Sequence, residues 1–477
     1  MKVRFTHTLS ILVAMMLLFV SITPAQAAFI NPMNQNDAFT DDPPLPTDDP
    51  LATPTVEVNE QSPPPNLNLA PTINIWYGDS QSFGQNGNPQ TQINILGHLS
   101  GDLVLTMSYR LNGGSEVTGV PVAPSSNPRL VSTGDFNIAL NTSSLLNGQN
   151  TLQIYAGTNT KTIQIDYTPN VVPPLPHFID WTTSTSITNQ AQVVDGLWTM
   201  TSAGPRTVQT GYDRLIGLGD ISWDDYEVLV PITVHSWPES GEGGVGIIGH
   251  WTGHAGGGAL PDDWWVMGAY GYYSNKPGSD GGLAMYINQG TRYKTGRTVF
   301  SMPTGTTYLF KLRVEEITPA TDEEPGVARY SLKAWPLGSA EPSWTSSTFS
   351  EVYNRTDSSD LRTKGGILLV AHQANATFGD VAVCPLTGTN YPLNVTTSGS
   401  GTVTKSPNKA QYACGEGVSL TANPALGWEF VRWEQDISST SATIHTNILQ
   451  STQLRAVFQL SNNNDLDEKI FIPFVRK

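Results

Sequence analysis

The sequence predicts an all-β, multidomain protein, and three observations carry that reading. Charged residues make up 14% of the 477-residue chain, against about 25% in an average soluble protein. Forty-four Gly and 34 Pro break it into short segments. Beyond the first thirty residues, no stretch carries a 3.6-residue apolar period. A helical bundle and a doubly wound α/β enzyme are therefore excluded. At roughly 100–200 residues per domain, the length suggests about three folding units. The net charge of −16 argues against a nucleic-acid partner, because phosphate binding needs a basic surface.

Lys2 and Arg4 precede an apolar run from Leu9 to Val20, which ends in Thr23-Pro24-Ala25-Gln26-Ala27. This pattern reads as a signal peptide over 1–27, cleaved after Ala27. The alternative is a retained anchor, but a span needs about 20 apolar residues. Removal takes away two basic residues and leaves −18. The expected location is secreted or cell-surface, without a transmembrane segment. Residues 28–70 hold nine Pro, seven Asp or Glu, and no Lys or Arg. Such a stretch cannot bury enough apolar surface to offset ordering and reads as a disordered linker.

Residues 71–168 alternate short β patterns with turns: Thr72–Trp76, Gln92–Leu96, Leu103–Leu111, Phe136–Leu140 and Thr151–Tyr155. That spacing predicts a small antiparallel sandwich. The run Leu146-Asn147-Gly148-Gln149-Asn150-Thr151-Leu152-Gln153-Ile154 resembles the late turn and strand of bacterial immunoglobulin-like modules. The resemblance implies a spacer or a binding surface. The Pro-rich residues 169–176 form a stiff hinge in this reading.

Residues 177–385 hold nine of the twelve Trp and show period-two faces. Tyr226, Val228, Val230, Ile232 and Val234 share one face. Tyr308, Phe310, Leu312 and Val314 share another, with Lys311 and Arg313 opposite. About 200 residues of such strands fit a large two-sheet jelly roll. Asp195-Gly196-Leu197-Trp198, Asp225-Tyr226-Glu227-Val228, Gly366-Ile367-Leu368-Leu369-Val370-Ala371 and Phe378-Gly379-Asp380-Val381 together resemble the concanavalin/laminin-G-like jelly rolls of bacterial extracellular proteins. That resemblance implies binding of sugars or proteins, and in some members cleavage of polysaccharide.

Residues 391–460 carry Tyr391-Pro392-Leu393-Asn394-Val395, Gly399-Ser400-Gly401-Thr402-Val403, Val418-Ser419-Leu420-Thr421-Ala422, Gly427-Trp428-Glu429-Phe430, Trp433 and Ala456-Val457-Phe458. This order resembles the bacterial repeat domain related to internalin-type B repeats, a compact β-rich module of exported surface proteins. Trp428 and Trp433 are expected in its core. Residues 461–477 are a polar spacer and the short apolar tail Ile470–Val475, read either as a sorting tag or as a docked edge strand. Cys384 and Cys414 flank the junction before this module, and an even count in an oxidising compartment favours a disulfide. Two separately buried thiols are the alternative.

No catalytic set is evident. The carboxylate pattern Glu-x-Asp-x-x-Glu expected of a retaining glycosidase on such a roll is absent from the sequence, and so are Gly-x-Ser-x-Gly and His-Glu-x-x-His. Glu315-Glu316 and Glu323-Glu324 are read as a solvated hairpin loop. His250 and His254 have the spacing of a helical metal pair, but their glycine-rich surroundings oppose a helix. No metal site is assigned. Calcium could accompany an acidic roll, without assignable ligands.

Binding is better supported. Residues 223–293 contain five Trp, six Tyr and no Phe, as suits a wet surface that stacks rings on sugars. Parity along Val245–His254 puts Trp251 in the core with Val245 and Ile247, and His250 and His254 on a semi-polar face. The same argument turns Trp237, Tyr286 and Asn288 outward, and at least one of the neighbours Trp264 and Trp265. These seven residues are the candidate glycan-binding set. The functional expectation is a monomeric, non-catalytic binding protein for extracellular polysaccharide or cell-wall glycan. A structural adhesin, or a polysaccharide-cleaving enzyme, is the alternative.

Overall fold

Strands form wherever the period-two pattern runs. The computed structural model describes residues 70–102, 104–124, 127, 129–254, 268–275, 281–288, 292–294, 298–299, 301–318, 327–344, 349–354 and 364–461. Helix among them is confined to the single 3-10 turns Thr142–Ser144, Trp181–Thr183 and Ile187–Asn189. All of them fall in one compact unit, Glu60–Lys477. The expected signal peptide, the linker up to residue 69, Trp264, Trp265, Glu323-Glu324 and the tail from 462 lie outside the described residues.

The first sandwich packs a three-stranded sheet on a five-stranded one. Gln92–Ser100 and Asp135–Asn141 bury Ile93, Ile95, Phe136, Ile138 and Leu140 against Leu152, Ile154, Ile163 and Ile165 of Gly148–Ala156 and Asn159–Tyr167. Each is a period-two set, one face of a strand turned to the core. Ser80–Phe83 joins the edge in parallel to Asn159–Tyr167. The expected hinge at 169–176 is held against the roll: Trp223 donates its indole N–H to the Pro173 carbonyl at 2.9 Å, and Leu175 packs on the roll's core.

The roll has two antiparallel sheets. One runs Gln192–Asp195, Arg214–Leu218, Gly366–His372, Gly243–Trp251, Gly268–Asn275, Gly282–Asn288, Arg292–Lys294. The other runs Trp198–Thr201, Gly204–Thr207, Asn375–Phe378, Tyr226–Ser236, Thr307–Thr318, Val327–Pro336, Phe349–Asn354. Between them lie the predicted sets from Tyr226–Ser236 and Thr307–Thr318, facing Ile216, Val245, Ile247, Leu283, Met285, Ile367 and Leu369. The strand Thr307–Thr318 continues through Glu315 and Glu316, which are therefore not a loop. Glu315 pairs across the sheet with Arg329 at 3.1 Å.

The last module has its own core of Leu393, Tyr412, Leu420, Trp433, Leu454 and Phe458, with Trp428 packed at its side. Trp433 is buried and donates to the Ser441 carbonyl at 3.0 Å, as a polar ring edge in a small core requires. Trp433 is thus a core residue of the module, whereas Trp428 is half-buried and packs against that core.

The flanking modules dock on the outward faces of the two sheets. On the first sheet, Val194, Leu215, Ile248, Trp251, Leu368 and Val370 form an outward apolar patch. Pro89 of the first sandwich lies on it: a Cβ on Gly217 would come within 2.9 Å of Trp251 and 3.2 Å of Pro89. Polar contacts ring the patch. Asn137 donates to the Val194 carbonyl at 3.3 Å, Gln192 to the Gln92 carbonyl at 3.0 Å, and Tyr77 to the Gly196 carbonyl at 2.8 Å. On the second sheet, Leu229, Leu309, Trp335 and Ala382 meet Leu449 of the last module.

Candidate functional site

A bulge decides where the predicted histidines go. The pairing of Gly243–Trp251 with Gly366–His372 skips between Ile248 and Trp251, and His250 sits there at φ +50°. The extra residue reverses parity beyond it. His250 therefore points between the sheets at 0% exposure, with Tyr226 and Tyr330 rings at 5.6 and 5.8 Å. Its backbone N–H donates to the Tyr226 hydroxyl at 2.8 Å. Trp251 is buried, but in the outward patch under the first sandwich. The expectation that His250 lines a groove is corrected by this geometry, and so is the inward placing of Trp251.

His254 lies in the joint between sandwich and roll, edge-on to Trp251 at 6.3 Å. Its Nε2 is enclosed without a hydrogen-bond partner among the described residues. Burial, then the Arg129 charge, holds its pKa well below 6.5. The folded state thus refuses a proton that the unfolded chain takes up. This contribution is fully present above about pH 6.5 and is lost as pH falls below it. Burial depresses His177 and His235 as well, with the same sign. Urea midpoints are expected to fall from about pH 7.5 to about 5.5, with His254 supplying up to about 1.4 kcal/mol per pH unit. His254→Asn should flatten that slope; an unchanged slope would assign the loss to other groups.

Trp237 is half-buried and leans on Tyr273 at 5.6 Å, at the end of the roll's core. Tyr286 and Asn288 belong to Gly282–Asn288, where the register sets them opposite Tyr270 and Gly268. Tyr270 packs on the outward patch, and its ring stacks on Tyr272 at 4.7 Å and 29°. Tyr272 is 6% exposed and lies over Gly244 and Gly246, where a Cβ would come within 2.5 Å of it. Its hydroxyl donates to Glu242 at 2.6 Å. The half-buried Tyr270 is thus held by a buried, anchored partner. Sequence reasoning missed both, although their alternation with Tyr273 was visible.

A second constellation lies on the other sheet. Glu227, Lys311, Arg313, Lys333, Glu341 and Trp344 line a cleft of about 610 Å³ whose far wall is Cys414, Glu416 and Gly417. Glu341 Oε1 accepts from Lys311 and Lys333, each at 2.6 Å, and Oε2 accepts from Asn447 at 2.5 Å. Burial pulls the Glu341 carboxyl up, but the two ammonium groups outweigh it and hold it below the usual range. Arg313 donates to Glu227, its Nε at 2.6 Å. Glu341 is thus held as an ion by its partners, a poor arrangement for a proton donor. Lys311 also donates to the Gly415 carbonyl at 2.6 Å, and Cys384 and Cys414 form a disulfide. Among the described residues no group of three His, Cys, Asp or Glu could hold a metal ion.

Residues 391–462 match the family of the divergent InlB B-repeat domain. Solved structures that match include the legume lectin-like domain from Entamoeba histolytica, at 7% identity, covering 42% of this chain and 92% of that one with a TM-score of 0.27. No curated protein matches the chain. The disulfide is compatible with an extracellular setting. No helix among the described residues is long and apolar enough to cross a membrane.

Proposed function

We propose that the chain is a secreted or cell-surface, non-catalytic protein whose roll binds extracellular polysaccharide or cell-wall glycan. The site is the outward face of Gly268–Asn275 and Gly282–Asn288. The observation that carries this reading is the Tyr270 ring, stacked on Tyr272 beside the register positions of Tyr286 and Asn288. A sugar's C–H face packs on such a ring while its hydroxyls take hydrogen bonds from nearby polar groups. The buried Tyr272, anchored on Glu242, pre-orients the ring and lowers the ordering cost of binding. The segment carrying Trp264 and Trp265 leads directly into Gly268–Asn275, and both belong to this proposal.

The test is calorimetry and pull-down of the whole mature chain against a polysaccharide panel, with and without calcium. Saturable binding is expected, and Tyr270→Ala should weaken it about tenfold, the ~1.4 kcal/mol of one aromatic contact. A folded sample that binds no polysaccharide would leave the structural adhesin as the better reading. Release of new reducing ends would instead favour a polysaccharide-cleaving enzyme.

A further inference from the structure

We infer that the cleft between the roll and the last module is a second ligand site, and that it takes an uncharged, hydroxyl-rich ligand: a segment of neutral oligosaccharide. Its volume of about 610 Å³ falls among small-ligand sites of roughly 300–1,000 Å³. The roll supplies one wall through Glu227, Arg313 and Trp344, and the module supplies Glu416 and Gly417 opposite.

Charge accounting selects the ligand class. Glu227 pairs with Arg313, Glu341 with Lys311 and Lys333, Glu315 with Arg329, and Glu416 with Lys409. Every one of these charges already has a partner, so an ionic ligand would compete with an existing pair. A hydroxyl need displace nothing. A paired carboxylate keeps further lone pairs that accept from it, and a guanidinium with five N–H groups keeps donors for it. Trp344 adds an apolar wall, held under Lys333 at 4.0 Å and Arg313 at 4.6 Å.

The walls are fixed before any ligand arrives. The Cys384–Cys414 bridge joins them, Lys311 and Asn447 both donate to the Gly415 carbonyl, and a Cβ on Gly417 would come within 2.6 Å of Glu341. A preformed cleft spares the ligand the cost of ordering it. The site is independent of Tyr270, which lies on the other sheet.

The experiment titrates the whole mature chain by calorimetry with hexaoses of glucose, xylose and mannose, and with oligogalacturonate as the charged counterpart. At least one neutral hexaose should bind the wild type and the Tyr270→Ala variant alike. Trp344→Ala should weaken that binding at least tenfold. Thr387→Trp, which places bulk at an exposed position of the cleft's rim, should do the same without removing a wall. Neutral binding that survives both changes would overturn the proposal, and so would oligogalacturonate binding tenfold tighter than every neutral hexaose. Absence of any neutral binding at millimolar ligand would overturn it too. Loss confined to Tyr270→Ala would support the other face and reject this one.

Discussion

Serine at both Cys384 and Cys414 should destabilise the junction of roll and last module by roughly 3–4 kcal/mol, the chain-entropy value for a loop of about 30 residues. The two cysteines are 30 residues apart, with Cα atoms at 5.6 Å, a spacing at which the bridge needs no backbone shift. Cys384 lies in Val381–Pro385, in register with Glu227 of Tyr226–Ser236, whereas Cys414 belongs to the last module. The bond therefore staples two separate cores. Its loss should speed amide exchange over 391–461 while leaving the central roll strands protected. Reduction of the native protein should reproduce the effect. An unchanged urea midpoint would mean that Lys311, Asn447 and the Leu229–Leu449 contact already fix the joint.

The strands were legible where one face is wholly apolar and the other carries charged or polar residues. Tyr226–Ser236 and Thr307–Thr318 alternate cleanly, and the structure buries the predicted sets. Ser80–Phe83 escaped notice because Ser-Gln-Ser carries no apolar alternation, and it is held by pairing with a strand 84 residues on. The bulge at His250 has no local signature. A non-glycine at positive φ is unfavourable in itself, and here packing against Tyr226 and Tyr330 imposes it. Parity arguments hold only until such an insertion, so His250 turns inward and Trp251 outward, the reverse of what simple alternation gives.

The cleft was half legible. Lys311 and Arg313 fall on the outward parity of their strand, as Glu227 does on its neighbour, and outward charges in adjacent strands demand partners. What sequence could not supply was distance. Glu341 follows Lys311 by 30 residues and Gly415 follows it by 104, separations that only the finished fold closes.

The largest single-residue effect should come from Asp195, which ties the first sandwich to the roll. It is 2% exposed and takes Arg129 from the sandwich and Arg214 from the roll, the latter at 3.8 Å. Arg214 is itself buried and donates to the Arg129 carbonyl at 2.7 Å. Asp195→Ala would leave two guanidinium groups in that joint without their counter-ion, a change that costs about 3–5 kcal/mol when a buried pair is broken. Asp79→Ala is the control. Asp79 pairs with Lys161 on the surface at 57% side-chain exposure, where a pair contributes about 0–1 kcal/mol. Urea unfolding of both variants should separate them by several kcal/mol. Were they equal, water would have to reach Arg129 and Arg214 freely, and the sandwich would be resting on the roll's outward patch rather than sealed to it.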